Sequence, residues 1–528
     1  MSELQQVHVR VTDAATGRPT PCRVRFTDAA GKYYAPHGRL TEFATGVGMD
    51  VGGNLQFSLL GKDGKPESTQ FAYIAGSCEI ALPPGLIHVT ICKGPEYLPV
   101  EQDIQLAAGK LALRFTLERW SHHRQHGWYP GDVRAYFLSP QAALLEGAAE
   151  DLAVVNVLAR AWVLMDNPIA VERPRQRMAF PNLLEFSGQQ PALADQGCMV
   201  IVNTENSHRQ LGWLGLLHCH RVVYPLYFGG HVGTDYLDNW TLADWSDQCH
   251  RKHGLVVWTQ TMGVSGGKRY GEALADLILG RLDAVEADPF HWSDSQDPSS
   301  FPWYDLLNSS LRVPLVGSSA KDDNCVALGC IRTYARLQQD QPFTYTAWIE
   351  AIRSGRTFAT NGPLLFLTVD DQDLGATLRI TADQPVHVRA EARSLVPFEH
   401  LEIIVNGEVV VRQSPSGSPS TASIDAEVSL PTGGWLAARC WGHELVPGWG
   451  VGQRVYAHTS PVYVRVDDRP APVDSAAVQR FLGHLTHVLS WVDNEGRYEN
   501  DSQRLRLRKV FEDAIQTLQE RERSGAKP

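Results

Sequence analysis

The sequence has no Lys/Arg-rich run, and its 48 basic residues are outnumbered by 59 acidic ones, for a formal charge of −11. That balance excludes the electrostatic footprint of a nucleic-acid-binding surface. No stretch approaches the about 18 consecutive apolar residues that a membrane span needs, so no membrane partner is expected. The opening "MSELQQVHVRV" lacks the basic start, apolar core and small-residue cleavage site of a secretory signal. Nine cysteines are scattered and never spaced as Cys-x-x-Cys, which excludes a zinc ribbon and argues against a disulfide framework. They read as reduced core thiols, and a cytoplasmic protein is expected. Internal repeats and long low-complexity tracts are also missing, which excludes a solenoid.

What is present is an ordinary globular composition, 43% hydrophobic and 20% charged over 528 residues. At roughly 150 residues per domain, that length suggests about three or four domains. From Gln6 to about Glu118, "VHVRV", "GLIHVTICKG" and "LALRFTLER" are strands punctuated by Pro/Gly turns, which predicts a small β-sandwich over residues 1–118. Over 119–360, the short apolar runs "LAVVNVLA", "CMVIVNTEN", "GLVVWTQ", "LDAVEAD" and "RVPLVGSS" alternate with helical stretches such as "PQAALLEGAAE" and "GEALADLILGRL". That order predicts parallel strands with crossover helices. β-Patterning returns over 361–468, with Asn406-Gly407 as a hairpin signal, and predicts a second sandwich. Residues 469–528 carry two amphipathic helices, one marked by Val478, Phe481, Leu485 and Val492, the other by Leu507, Val510, Phe511 and Leu518. These could dock on their own chain or pair two chains.

In parallel α/β domains chemistry gathers at the carboxyl ends of strands. In "GWYPGDVRAYFLSPQ", alternation predicts Asp132, Arg134 and Tyr136 on one face, before a helix capped by Ser139 with Pro140 at its first turn. Other strand ends offer Glu205-Asn206, Gln260, Glu286 and Ser318-Ser319-Ala320-Lys321. A barrel would bring these positions to one cleft.

Several longer stretches carry a resemblance: "FLSPQAALLEGAAEDLAVVNVLA", "NTEN" followed by "LGWLGLL", "AIRSGRTFATNGPLLFLTVD" and "ARSLVPFEHLEIIVNGEVV". Over nearly its whole length the chain resembles the carbaryl-hydrolase (CehA/McbA) type of metallohydrolase in the polymerase-and-histidinol-phosphatase (PHP) superfamily. The resemblance implies a distorted (β/α) barrel flanked by two β-sandwiches, the first of carboxypeptidase-regulatory (transthyretin-like) type, with a helical C-terminal segment. It also implies a metal centre that activates water against esters or carbamates.

The departures fall on the implied metal ligands. Relatives open the domain with Gly-Asp-x-His-x-His, where this sequence has Arg134 and Tyr136. Histidines are implied where Trp213 and Gln260 stand, and an aspartate where Ala320 precedes Lys321; of the implied ligands Glu205 remains. Arginine offers donors only and stays charged, so it repels a cation rather than ligating one. Arg134 is therefore expected to pair with Glu205, Asp132 or Glu286 in place of a metal, with Trp213 lining or filling the vacated volume.

Three other constellations stand beside this one. Ten of the nineteen histidines lie between His122 and His291. His218 and His220, with His208 or His231, could form a relocated site for a divalent metal such as zinc, although "HHRQH" and the others also read as linker, loop or core histidines. The "DDNC" turn (Asp322 to Cys325) could add ligands or simply turn the chain. "GVSGG" matches a nucleophile elbow, with Ser265, Asp288 and His291 in triad order, but "TQTMG" separates it from its strand. The same loop with Lys268 could hold an anion.

Two functions follow, with an ester or carbamate metallohydrolase using the relocated histidine ligands as a third. In one, the chain is a metal-free binding protein or the partner of an active paralogue, with no hydrolytic activity and no cofactor. In the other, the pocket is a metal-free enzyme: Tyr136 or Glu205 moves a proton while Arg134 and Lys321 hold an anionic substrate, and Asp132, Asn206, Trp213, Gln260, Glu286 and Ser319 line the site. A small-molecule ligand is expected in both, and a homo-oligomer is compatible with either.

Overall fold

The computed structural model describes residues 4–39, 52–60, 66–165, 176–229, 237–259, 270–286, 302–417, 419–446 and 453–525. The chain is a multidomain α/β protein rich in strands. At its N-terminus, a sheet of Gln5–Asp13, Ser77–Leu82 and Ala112–Leu117 faces a second built on Cys22–Asp28, Pro66–Ile74, Gly85–Cys92 and Val100–Leu106. The alternation read from the sequence is what packs them. Val7, Val9 and Val11 point inward against Val24, Phe26, Ile87 and Val89, all buried.

The central sheet begins with β1 (Trp128–Ala135), joined in parallel to β2 (Val154–Ala159) and through it to β3 (Cys198–His208). Between β1 and β2 runs α1 (Pro140–Ala149), capped as expected: the Ser139 hydroxyl accepts from the Ala142 N–H, and Pro140 occupies the first turn. Purely parallel order then fails. β4 (Gly212–Leu217) is antiparallel to both β3 and β5 (Leu255–Thr259). The cause is the short turn at Arg209–Leu211, which reverses the chain directly where a crossover would need a dozen residues or more. Parallel pairing resumes from β5 to β6 (Ala284–Glu286) and β7 (Leu315–Val316). The sheet curls back on itself: beyond β7, Lys321 bridges to Ala135, and its carbonyl accepts the Tyr136 N–H at 2.7 Å.

β8 (Arg332–Arg336) pairs antiparallel with β1 on one side and with β9 (Thr357–Thr360) on the other. β9 continues into the second sandwich by pairing with Gln453–Thr459, so one backbone ladder crosses from one section to the next. The Asn406-Gly407 hairpin is present, both residues at positive φ. A three-stranded sheet of Leu364–Val369, Val386–Ser394 and Ser420–Val428 closes that sandwich.

An ionic seam joins the N-terminal sandwich to α1 and the loop after it. Arg23 and Tyr73 both donate to Glu150, at 2.8 and 2.9 Å, and Arg119 bridges Glu96 and Asp151. The C-terminal helices dock on their own chain. Ser475–Asn494 and Asp501–Gly525 pack together, burying Val478, Phe481, Leu485, Phe511 and Leu518 against the helices beside the central sheet. No described helix is long and apolar enough to cross a membrane.

Two outcomes test this packing. Phe481→Ala empties a fully enclosed site and should cost about 3–5 kcal/mol in urea unfolding; a cost near zero would mean that the hairpin is not docked. The buried Glu272 carboxylate accepts the Leu242 and Ala243 N–H groups at the start of the helix Leu242–Arg251, at 2.8 and 3.0 Å. Burial pushes its pKa up to about 7, against the pull of those bonds. The folded state therefore holds this proton more tightly than the unfolded chain, whose glutamates titrate near 4.5. Its contribution is fully present below about pH 4.5 and is lost as pH rises to about 7. Glu272→Gln should flatten that decline; an unchanged slope would assign it to other groups.

Candidate functional site

β1 carries the centre of the site. Its register with β2 slips between Asp132 and Ala135, a bulge that breaks simple alternation and re-aims the side chains. Gly131, just before it, lies so close to Trp348 that a Cβ there would come within 2.5 Å of the indole. Asp132 turns to the backbone. Its carboxylate accepts from the N–H groups of Arg134, Ser319 and Gly329 and from the Ser319 hydroxyl, at 2.5–3.1 Å. Burial raises its pKa, opposed by these bonds.

Arg134 goes the other way, into the interior. Its Nε and Nη2 donate to one oxygen of Glu286, at 3.1 and 2.6 Å, and its Nη1 donates to the Tyr136 hydroxyl at 3.0 Å. Of the three expected partners, Glu286 is the one used. Ser318 donates its hydroxyl to the same Glu286 oxygen. Burial opposes the guanidinium charge, but Glu286, Tyr136 and Glu205 outweigh it and hold the group firmly protonated.

Tyr136 passes the chain onward, donating to Glu205 at 2.9 Å. Burial pushes the phenol pKa well up, opposed by the charge of Arg134. The other Glu205 oxygen accepts from the Thr259 hydroxyl at 2.8 Å. A run of charge-assisted bonds thus links Glu286, Arg134, Tyr136 and Glu205 across the curled sheet, with every member buried.

The reading from sequence missed Arg160. It follows β2, places Nη1 3.2 Å from Glu205, and lies over three rings: Trp162 at 4.0 Å, Trp213 at 4.3 Å and Tyr136 at 5.0 Å. The rule that exposed the other positions would have found it, since "VVNVLAR" puts an arginine just past a buried strand. Trp213 is therefore half-buried as a wall for Arg160. The partly buried Asp322 feels both Arg160 and Arg134. Its pKa is raised by burial and then by Asp323, against the pull of the two arginines.

Other expected members stand elsewhere. Lys321 is fully buried, but its ammonium donates to the Asp323 and Val326 carbonyls at 2.8 and 2.7 Å and faces Glu146 at 3.6 Å. It braces its own turn and is not directed to the Arg134 cluster. Asn206 spends its amide on the Val223 and Pro225 carbonyls, which fixes a loop. Ser319 serves Asp132. Gln260, Ser265, Lys268, Asp288, His291 and His231 lie outside the described residues. The remaining candidate histidines have separate partners: His208 faces Asp238, His218 bonds Thr346 and the His253 carbonyl, and His220 bonds the Lys252 carbonyl. Among the described residues, no group of three or more His, Cys, Asp or Glu could hold a metal ion.

Ala320, where the resemblance implies an aspartate, sits at φ +52°, a left-handed conformation that suits Asp, Asn or Gly better than Ala.

Fold and site together define a multidomain α/β protein with an arginine–carboxylate cluster buried at the strand ends of a curled sheet. Neither protein-family models nor curated proteins give a match to the chain. Among solved structures, it has a distant likeness to PsfC from Pseudomonas syringae PB-5123, with 15% identity, 42% of this chain and 88% of that chain covered, and a TM-score of 0.27. A second is the lesion-specific endonuclease PfuEndoQ from Pyrococcus furiosus, with 10% identity, 43% and 56% covered, and a TM-score of 0.27. Likeness at this level carries no reading of either protein's activity to this chain.

The cluster makes a sharp prediction. Arg134→Met strands the Glu286 charge in the interior and should cost about 3–5 kcal/mol. Adding Glu286→Gln should return part of that loss in a double-mutant cycle of thermal unfolding. Strictly additive losses would show that the two side chains are not coupled.

Proposed function

We propose that this chain is a metal-free homologue of the carbaryl-hydrolase type of metallohydrolase, built on the distorted (β/α) barrel of the PHP superfamily. In this reading it binds a small molecule, or partners an active paralogue, and does not hydrolyse. The observation that carries the proposal is the placement of the Arg134 guanidinium, on Glu286 through Nε and Nη2 and on Tyr136 through Nη1. The residues at this site do not fit the metal that the resemblance implies. The carboxylates that would ligate a cation are already neutralised by Arg134 and Arg160, which are donors only. The αL backbone at Ala320 supports the lineage, because it keeps a conformation suited to the aspartate no longer there. All nine cysteines are free thiols, which suits a reducing, cytoplasmic setting.

In the binding reading, Arg160 does the contacting. It is held by Trp162, Trp213 and Glu205 and is the least buried charged side chain of the cluster, while Arg134 is spent inside. A second reading, a repurposed metal-free enzyme, draws on the Tyr136–Glu205 bond as a path for a proton. The raised phenol pKa weighs against it, since a general acid works best with a pKa near the operating pH.

The test is metal content by elemental mass spectrometry, after incubation with zinc, manganese, iron or copper salts and desalting. The expected outcome is no stoichiometric metal, with no turnover of ester and carbamate substrates. Near-stoichiometric retention overturns the proposal. Tyr136→Phe separates the two readings: a binding protein keeps its ligand affinity within a few fold, whereas the enzyme loses turnover while still binding.

A further inference from the structure

A cavity of about 480 Å³ opens where three parts of the chain meet: the helix Pro302–Asn308 with the loop after it, the second sandwich, and the link at residues 470–474 that leads to the C-terminal helices. It lies apart from the Arg134 cluster and shares none of its residues. Arg312 and Arg465 both line it. The Arg312 guanidinium lies over the Tyr463 ring at 4.3 Å, and its Nη1 donates to the Thr377 hydroxyl at 2.8 Å, so it is fixed in place with donors to spare. Tyr463 and Arg465 alternate onto one face of the strand Val462–Val466.

The charges around Arg312 are the informative part. Burial lowers its pKa first; Tyr463 opposes this, and the neighbouring Arg465 lowers it further. Among the described residues neither arginine has an ion-pair partner, whereas the adjacent Arg379 is paired with Asp468 at 2.7 Å. Neighbouring like charges repel, and an anion bound between Arg312 and Arg465 would relieve that repulsion at their end of the cavity. The rest of the wall mixes apolar residues such as Leu307, Leu311 and Val473 with polar groups that are already set. Trp435 donates from Nε1 to Asn308 at 2.7 Å and from its backbone N–H to Asn406 at 2.9 Å. Glu408 and Asp474 also line the cavity, and Asp474 caps the following helix through the Ala476 N–H. Carboxylates there favour a ligand whose body donates hydrogen bonds and disfavour one that is anionic throughout. The volume falls in the usual range for a small-molecule site.

We propose that this cavity binds a sugar phosphate, with the phosphate on Arg312 and Arg465 and the hydroxyls toward Glu408 and Asp474. The test is calorimetric titration of the full-length protein with glucose 6-phosphate, ribose 5-phosphate and glycerol 3-phosphate, with glucose and inorganic phosphate as comparators. At least one sugar phosphate should bind with Kd below about 1 mM and at least about tenfold more tightly than inorganic phosphate or glucose, about 1.4 kcal/mol. Arg465→Glu should abolish that binding without lowering thermal stability, because the Arg465 side chain is in no ion pair among the described residues and its loss removes a repulsion on Arg312. Arg379→Ala should leave the affinity as it was. The proposal is overturned if none of the three binds, if inorganic phosphate binds as well as they do, or if binding survives Arg465→Glu.

Discussion

The site is organised around one requirement, that a guanidinium enclosed within a curled sheet must have its charge answered and its donors used. Arg134 is almost completely buried, and an unpaired charge at such a depth would cost several kcal/mol. Everything around it meets that demand. The β1 bulge turns it away from Asp132, β6 supplies Glu286, the segment after β7 supplies Ser318, and Tyr136 takes the remaining fork. Glu205 then needs donors of its own, which come from Tyr136, Thr259 and Arg160. A charge placed once on the first strand propagates as a set of commitments over much of the sheet.

Those commitments explain why the cluster is better suited to holding a shape than to changing protonation. Its proton-bearing groups are pushed away from neutrality, Tyr136 by burial and Arg134 by Glu286 and its neighbours. Deeper polar groups are tied together as well. Asn156, Asn203 and Tyr345 bond one another, and Asn156 reaches back to the Asp132 carbonyl. Such a network, fully satisfied, rigidifies its surroundings. Arg160 is the least buried of the charged members, held over three rings as well as on Glu205.

Much of this was legible in the sequence where local chemistry decides the outcome. The Ser139 cap, the Asn406-Gly407 hairpin, the inward valines of the first strand and the apolar stripes of the last two helices each follow from their own residues. Arg134 beside a carboxylate was legible too, since charge pairing in a core leaves few alternatives. The rest depended on partners that spacing cannot show. Alternation on β1 implied one face for Asp132 and Arg134, and the bulge separated them. Lys321 reads as a site cation until the turn after it presents two carbonyls to its ammonium. Asn206 reads as pocket-lining until the loop at Pro225 claims its amide. The antiparallel β4 was hidden by the apolar runs on either side, which look alike in either direction.

β9 belongs to two bodies at once, paired with β8 on one edge and with Gln453–Thr459 on the other. In a protein assembled from exchangeable modules, sections join through linkers that recombination can cut without harm. Here a cut at the same place would bare the ladder edge of β9, a row of unpaired N–H and C=O groups ready to pair with a foreign chain. The second sandwich is therefore not a detachable module that happens to accompany the site. It can be altered in its loops, but removing it would uncover an edge of the sheet that carries Arg134.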